Sequence, residues 1–309
     1  MSPAEIGHRG IAGKFMNIPD SLTPLGLGTG RLASLGSGVS RSASLSLIQT
    51  ALNNGICVID TADTYGSGDS ERTIGSAIQG RNREDFFLIT KAGFPHVALP
   101  AALSPLNQIG KKLLQIASPK RIFSKKYLVR CIEASLKRLR LDYVDAFLLH
   151  AAVAGEPTSE TWEALEEIRA RGLSRLTGIS TKDGEVLRQG IASGQVSIVE
   201  TSISLEAKHA VEICHICASN DVPLVANEVL KPRLNLQHRS AQWNEMRTRH
   251  GAGECSTVHL LIAYALAQPA VKCVAIGSSS PVHLVENLRA TQYVHQHEAL
   301  FKEMKEAFQ

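Results

Sequence analysis

Short apolar runs alternate with amphipathic segments along most of this 309-residue chain. Apolar runs bounded by polar residues or glycine are typical of buried strands. They predict strands at Leu22–Gly28, Cys57–Thr61, Phe86–Lys91, Tyr143–His150, Leu176–Ser180, Ile198–Ser204, Pro223–Val229 and Cys273–Ser278. Apolar residues at helical spacing predict helices at Ser42–Asn53, Ser70–Gln79, Lys125–Leu139, Thr161–Arg171, Asp183–Ala192, Ala207–Asn220, Ser256–Ala267 and Val282–Ala290.

Eight predicted strands, each followed by a predicted helix, indicate a (β/α)8 barrel of the TIM type. The length suits one such barrel, so we expect a single domain over residues 1–309. Within it we expect an N-terminal arm at residues 1–20 and an extended loop after strand three at residues 94–126. Residues 288–309 are predicted to form a helical tail.

A doubly wound sheet is the competing α/β arrangement. Its support is the segment Gly28–Ala33, which loosely matches a dinucleotide-binding fingerprint. That fold requires an acidic residue about 20 positions later. No Asp or Glu occurs between Asp20 and Asp60, and the glycines do not open a predicted helix. The barrel is therefore favoured.

Composition argues against several classes of protein. The chain is 44% hydrophobic, which is enough for a large core, and its formal charge is +4 without a long Lys/Arg tract. Nucleic acid is therefore not an expected partner. No apolar run is long enough to span a bilayer, and the first 20 residues lack the apolar segment of a secretory signal. Six cysteines spread through predicted elements indicate reduced use, so we predict a cytoplasmic protein.

One cysteine cluster has some of the residue types of a metal site. Cys214, His215 and Cys217 lie close together, with His209 upstream. They fall within a predicted helix, and no second Cys/His pair follows at zinc-finger spacing. We expect the thiols to pack against the sheet and predict no metal site.

Four titratable residues lie at or just after the ends of predicted strands. Asp60, Lys91 and His150 each close a strand, and Tyr65 follows Asp60 in the next loop. The carboxyl ends of barrel strands form the functional face, so these side chains should meet there. A single such residue is more often structural, but four chemically matched groups on separate strands indicate a site.

Together the four residues make a general acid. A free tyrosine has a pKa of about 10 and is a poor acid near neutrality. We expect Lys91 to lower the pKa of Tyr65, and Asp60 to keep Lys91 charged and oriented. His150 is expected to act as a neutral hydrogen-bond donor.

The chain resembles the aldo-keto reductase superfamily from about Leu25 to Asn287. The resemblance rests on motifs at Gly55–Gly66, Glu71–Gly75, Ile89–Lys91, Leu141–Asp145, His150, Gly178–Ser180, Ile276–Pro281 and Glu286–Asn287. It implies a catalytic tetrad of Asp60, Tyr65, Lys91 and His150. It also implies reduction of an aldehyde or ketone to an alcohol, or the reverse, with hydride from a nicotinamide cofactor. NADPH is the expected cofactor, and NADH is the alternative.

The resemblance places cofactor contacts at Thr29, Gly30, Asp60, Ser180, Thr181, Glu200, Asn227, Gly277, Ser278, His283, Glu286 and Asn287. Several of these depart from the family pattern. Thr181 stands where Asn is usual, Glu200 where Gln is usual, and Asn227 where an aromatic ring is frequent. Gly277 and His283 occupy positions at which many members carry a Lys and an Arg for the 2′-phosphate.

Two loops are expected beside the site. The basic residues of the 94–126 loop form either a solvated helix face or a lid that attracts acidic or phosphorylated substrates. The loop Leu230–Gly253 is expected to fold over the cofactor, with Lys231, Arg233 and Trp243 as contacts.

The resemblance leaves the substrate open among sugars, sugar-derived intermediates and secondary-metabolite ketones, and it leaves the oligomeric state open. A small-molecule carbonyl or alcohol is the expected partner. The alternative function is a catalytically weak, cofactor-binding regulatory or scaffold subunit of the same fold. The substitutions Thr181, Glu200, Asn227 and Gly277 keep that alternative open, whereas the complete tetrad favours an enzyme.

Overall fold

The computed structural model describes residues 23–32, 39–95, 120–231, 236 and 240–308. The predicted arm at residues 1–20 lies outside these ranges, as does most of the predicted 94–126 loop. Arg233 lies outside them as well.

Eight strands pair in parallel and close into a barrel in chain order. They are β1 Leu25–Gly28, β2 Val58–Asp60, β3 Phe87–Ala92, β4 Val144–His150, β5 Ser174–Ser180, β6 Ile198–Ser202, β7 Leu224–Asn227 and β8 Val271–Ile276. This confirms the predicted (β/α)8 barrel, although strand ends differ from the predicted bounds. β1 begins at Leu25, and β7 stops at Asn227 because Glu228 adopts a left-handed backbone with φ of 55°.

Alternation along the strands builds two apolar layers. Inward side chains fill the barrel with Val58, Phe87, Ile89, Ala146, Leu148, Leu176, Ile198, Val225, Cys273 and Ala275. The other face of the same strands, with Ile59, Leu88 and Phe147, joins the larger core under the helices. The interior is therefore packed with side chains and is not a pore, so chemistry is confined to its ends.

Helices surround the barrel, and each predicted helix has a counterpart among the described residues. They are α1 Arg41–Asn53, α2 Asp69–Ala77, α3 Lys125–Leu139, α4 Ser159–Ala170, α5 Gly184–Ala192, α6 His209–Ser219, α7 Ser240–Arg249, α8 Thr257–Leu266, α9 Pro281–Glu286 and α10 Glu298–Phe308. The predicted helix Val282–Ala290 is divided, because α9 gives way to a 3-10 helix at Asn287–Tyr293. None of the described helices is long and apolar enough to cross a membrane.

Helix α7 was not predicted, because most of its residues are polar and only Trp243 and Met246 are buried. These two side chains join Tyr264 of α8 and Phe301 and Met304 of α10 in a second apolar cluster. The cluster attaches the predicted C-terminal helical tail to the barrel.

Helix α6 carries Cys214 and Cys217 among its buried residues. All six cysteines of the chain are free thiols. Within the described ranges, no group of three or more His, Cys, Asp or Glu side chains could hold a metal ion.

Glycine is required at Gly178, where β5 and β6 approach closely. Gly178 pairs with Leu148 of β4 and with Ile198 of β6. A Cβ atom at this position would lie 1.8 Å from the carbonyl oxygen of Ile198. Any side chain here must push the backbone of β6 outward, only two residues before Glu200.

We expect Gly178→Ala to lower the free energy of unfolding by about 3 kcal/mol, because a strand backbone must move to admit the methyl group. Gly253→Ala is the matched control, since its Cβ would meet the nearest atom, Thr248 Oγ1, at 3.6 Å. Urea unfolding followed by circular dichroism measures both. Equal stability of the two variants would show that the β5–β6 approach is not rigid.

Candidate active site

The polar residues of the site form one layer at the carboxyl ends of the strands. Inward positions recur at every second residue, so polar groups that follow the interior apolar side chains in the same phase reach the barrel mouth. Those positions are Asp60, Lys91, His150, Ser180, Glu200, Asn227 and Gly277. The layer contains three predicted tetrad members, and Tyr65 comes from the loop after β2.

The ammonium of Lys91 lies at the centre of this layer and is 1% exposed. It forms salt bridges with Asp60 Oδ1 and with Glu200 Oε2, the latter at 3.0 Å. It donates hydrogen bonds to Asp60 Oδ1 and to the carbonyl oxygen of Thr61, the latter at 3.0 Å. Glu200 Oε2 is held by charge alone, because it accepts no hydrogen bond.

The contact between Lys91 and Glu200 was missed by the sequence analysis. Glu200 is 1% exposed, and its second oxygen, Oε1, accepts a hydrogen bond from Asn227 Nδ2. The strand phase could have indicated this arrangement, because Glu200 and Lys91 both follow interior apolar positions on strands that face each other across the mouth. Contacts of Glu200 and Asn227 with a cofactor remain predictions.

Tyr65 is held by a turn that only small residues accommodate readily. It begins the 3-10 helix Tyr65–Gly68, in which Gly66, Ser67 and Gly68 have φ values of 57°, 54° and 90°. A Cβ at Gly68 would lie 2.6 Å from Cδ of Arg138. Arg138 on α3 in turn pairs with Glu71 on α2 at 2.5 Å. The turn is therefore fixed between two helices, and Tyr65 stays over the mouth.

The side chains around Tyr65 complete the predicted tetrad. Lys91 Nζ lies 5.4 Å from the centroid of the phenol ring. The ring of His150 meets it edge-on with centroids 6.0 Å apart, and Phe94 packs edge-on against His150 at 5.0 Å. The structure thus brings all four predicted residues together. It adds Phe94, which the tetrad reasoning did not include, as an aromatic wall.

Two carboxyls and one ammonium share a volume from which water is excluded. Burial, together with the negative charge of Glu200, raises the pKa of Asp60 to about 8 against the opposing effect of Lys91. Burial alone would lower the pKa of Lys91, but Asp60 and Glu200 outweigh it and raise that pKa. Lys91 therefore stays charged across the physiological range.

Lys91 acts on the pKa of Tyr65 in the expected direction and lowers it. Burial and the negative charges of Asp60 and Glu200 outweigh Lys91 and raise the pKa of Tyr65 to about 12. The sequence predicts one carboxylate beside Lys91, whereas the structure places two there. Tyr65 is consequently a neutral phenol across the physiological range.

Three hydroxyls predicted to contact a cofactor are already used as donors within the protein. Thr29 Oγ1 donates to the carbonyl of Asp60 at 2.8 Å, and Thr181 Oγ1 donates to Ala152 at 2.7 Å. Ser278 Oγ donates to the carbonyl of Ser280 at 2.9 Å. These hydroxyls can still accept hydrogen bonds, but they cannot donate to a ligand without a local rearrangement.

The remaining predicted cofactor positions differ in their exposure. Gly30, Gly277, His283 and Glu286 are exposed on the rim formed by the ends of β1 and β8 and by α9. Ser180 and Asn287 are nearly buried, at 9% and 8%.

The rim after β5 and β7 carries exposed basic charge. Lys182 follows β5 and Lys231 follows β7, and both pair with Glu228, at 3.0 and 2.6 Å. Two cations on one carboxylate leave net positive charge. Such charge suits the diphosphate of a dinucleotide, so the residues present fit a nicotinamide cofactor. Trp243 of the Leu230–Gly253 loop is instead buried and donates to Thr257 Oγ1 at 2.9 Å.

Comparisons with known proteins point to one family. The model of the aldo/keto reductase family matches residues 24–307. The chain is 26% identical to the NADH-specific methylglyoxal reductase of Escherichia coli, over 87% of this chain and 90% of that protein. It is 24% identical to a D-threo-aldose 1-dehydrogenase of a Pseudomonas species, over 86% and 88%. The crystal structure of an aldo-keto reductase from Klebsiella pneumoniae in complex with NADPH superposes with a TM-score of 0.71 at 25% identity, covering 93% and 91%.

We expect Lys91→Met to reduce the free energy of unfolding by about 3–5 kcal/mol near neutral pH, since two buried carboxyls lose their cation. Asp60, whose pKa in the wild type is about 8, then loses the cation that favours its charged form, so its pKa rises further. A carboxyl whose folded-state pKa is above that of the unfolded chain, about 4, costs stability as pH rises, until the folded-state pKa is reached. The deficit relative to wild type should therefore grow as pH rises above about 8, by up to about 1.4 kcal/mol per pH unit.

Lys125→Met is the matched control, because Lys125 forms a salt bridge with Glu167 at 3.0 Å on the surface. We expect a much smaller change that does not depend on pH. Urea unfolding at several pH values measures both variants. A loss of stability in Lys91→Met that does not depend on pH would contradict the raised pKa of Asp60.

Proposed function

The chain belongs to the aldo/keto reductase family, and on that premise we propose that it is an NAD(P)H-dependent oxidoreductase. It reduces an aldehyde or ketone to an alcohol, or catalyses the reverse reaction, with Tyr65 as the general acid or base. The observation that carries this proposal is the buried ammonium of Lys91, held by two carboxylates beneath the phenol ring of Tyr65. A scaffold has no physical need for such a cluster at an open strand end.

The proposed mechanism assigns one task to each residue. The nicotinamide cofactor, when bound, supplies the hydride for the carbonyl carbon. Tyr65, a phenol at neutral pH, donates its proton to the carbonyl oxygen, and Lys91 stabilises the phenolate that forms. His150, whose ring lies edge-on to that of Tyr65, orients and polarises the same oxygen. In the reverse direction, the phenolate removes the hydroxyl proton.

Small polar carbonyl compounds are the proposed substrate class. One relative is named for methylglyoxal and another for a D-threo-aldose, and both match most of this chain. The wall formed by His150 and Phe94 leaves the phenol of Tyr65 half-exposed at the mouth. A panel of aldehydes, ketones and sugars, followed through the absorbance of reduced nicotinamide, identifies the substrate. The cytoplasmic location and the single domain stay predictions.

NADPH is the proposed cofactor, with NADH as a second. The structural neighbour from Klebsiella pneumoniae binds NADPH, and the relative from Escherichia coli is named as NADH-specific. Lys182 and Lys231 would hold the diphosphate, whereas the exposed rim at Ser278 and His283 would meet the 2′-phosphate. That rim lacks the Arg fork that binds phosphate in a bidentate manner.

The alternative is a regulatory or scaffold subunit that binds a cofactor without turning it over. The observation in its favour is that Glu200 is bound to both Asn227 and Lys91, which occupies polar groups expected to hold the nicotinamide. Tight cofactor binding together with no turnover on the carbonyl panel would support this alternative.

We expect Tyr65→Phe to reduce turnover by about 10²–10⁴-fold, because the proton donor is lost. Cofactor affinity, measured by quenching of tryptophan fluorescence, should stay nearly unchanged. Tyr143→Phe is the matched control, since Tyr143 precedes β4 at the opposite end of the barrel and should leave turnover intact. Wild-type rates in Tyr65→Phe would refute the acid assignment.

We expect a modest preference for NADPH over NADH. Hydroxyls and backbone N–H groups leave no buried charge unpaired when NADH binds, so they discriminate weakly. Dissociation constants for both cofactors, in the wild type and in His283→Ala, test this. A large preference that survives in His283→Ala would implicate Lys231 or Arg233 instead.

A further inference from the structure

Glu200 places a second carboxylate on the cation that serves the general acid. Its Oε2 atom lies 3.0 Å from Lys91 Nζ, and Lys91 also pairs with Asp60. All three groups are buried, at 1%, 1% and 4% exposure for Lys91, Glu200 and Asp60. Asn227 fixes the orientation of Glu200 by donating to its other oxygen. The arrangement is therefore built into β2, β3, β6 and β7.

We propose that Glu200 is a positioning residue of the reaction: by sharing Lys91 with Asp60, it weakens the stabilisation that Lys91 gives to the phenolate of Tyr65. The proposal rests on the function proposed above and deepens it. It assigns Glu200 a role in the proton transfer, through Lys91, that is separate from any contact with the cofactor.

The effect of Glu200 follows from charge in a volume from which water is excluded. Lys91 carries one positive charge, and both Asp60 and Glu200 lie within ion-pair distance of it. The negative charges of Asp60 and Glu200 both oppose the effect of Lys91 on the phenol of Tyr65, so a phenolate beside the three groups is less favourable than beside Lys91 and Asp60 alone. A neutral side chain at position 200 would leave only Asp60 to balance Lys91.

Other titratable groups around Tyr65 do not produce the same effect. The groups on the surrounding strands are Asp60 on β2, Lys91 on β3, His150 on β4, Glu200 on β6 and the thiol of Cys273 on β8, which is near Asp60. The charges that act on the phenol of Tyr65 are those of Lys91, Asp60 and Glu200. Asp60 and Lys91 cancel each other. Glu200 is thus the group whose charge is left over.

The direct test is the ionisation of Tyr65 itself, which needs no turnover. The protein is labelled with carbon-13 at the Cζ atom of its five tyrosines, and the Tyr65 resonance is assigned by its loss in Tyr65→Phe. In Glu200→Gln the resonance should move toward the phenolate position at least about one pH unit lower than in wild type. At a fixed pH below the midpoint, the ionised fraction should be at least about tenfold larger.

The kinetic test uses the pH profiles of kcat/KM in both directions. In reduction, the loss of rate at high pH should begin about one pH unit or more earlier in Glu200→Gln than in wild type. In oxidation, the rise with pH should level off earlier by the same amount. The two shifts must agree, because a substitution in the enzyme cannot change the overall equilibrium of the reaction.

Three further variants make the result decisive. Glu200→Asp keeps a carboxylate at this position and should keep the titration of the Tyr65 resonance closer to that of the wild type than Glu200→Gln does. Glu212→Gln removes the same charge from an exposed pair with Arg188 on the surface, and it should leave the Tyr65 resonance unchanged. Glu200→Met repeats the neutral substitution if Gln is not tolerated, and circular dichroism reports whether each variant is folded.

The outcomes separate this proposal from the proposed function. An unchanged Tyr65 titration in folded Glu200→Gln or Glu200→Met overturns the role of Glu200, even if the wild type reduces carbonyl compounds. A shifted titration supports that role, even if no carbonyl compound on the panel is reduced. In the latter case, the oxidoreductase function fails independently.

Discussion

The arrangement of the barrel mouth depends on burying the ammonium of Lys91. A lone cation in such a volume would be prohibitively unfavourable, so acceptors must surround it on every side. Asp60 and the Thr61 carbonyl come from the end of β2, and Glu200 comes from β6 across the mouth. Their distances require β5 and β6 to lie close together, which Gly178 permits. The close packing of β5 against β6 and the charge balance around Lys91 therefore depend on each other.

Much of the fold follows from the sequence for simple physical reasons. Parallel strands buried on both faces produce continuous apolar runs, and the helices between them produce an amphipathic period. Asp60, Lys91 and His150 stand out because each interrupts an apolar strand at its carboxyl end. Local backbone geometry was less predictable. Glu228 ends β7 in a left-handed conformation, which a glutamate side chain gives no reason to expect. Helix α7 could not be predicted from periodicity, because it is anchored by two buried side chains and has no periodic apolar face.

The electrostatics could not be predicted, because they depend on distances across the barrel. Sequence shows a lysine that lowers the pKa of a neighbouring tyrosine, and this effect is present. The net direction is reversed by burial and by Glu200, which is 109 positions away from Lys91 along the chain. The net pKa shift of Tyr65 is a sum of opposing effects, so its direction cannot be predicted unless burial and every nearby charge are known. The hydroxyls of Thr181 and Ser278 were expected to donate to a cofactor, but both donate to nearby backbone carbonyls instead. Motif comparison cannot detect such bonds, because they depend on the fold of the adjacent loops.

Two departures from the family pattern are physically coupled. A carboxylate in place of Gln at position 200 has two oxygens that need donors once they are buried. The cation of Lys91 pairs with Oε2 at 3.0 Å, although that oxygen accepts no hydrogen bond, and the amide of Asn227 donates to Oε1. A phenylalanine ring at position 227 would offer no donor, and leaving Oε1 buried without one would cost about 1–3 kcal/mol. Asn227 therefore supplies the donor that Glu200 requires. Loss of cofactor contacts at random would not bring a donor to this carboxylate, whereas the observed pair keeps each of its oxygens beside a donor or a cation at the general acid.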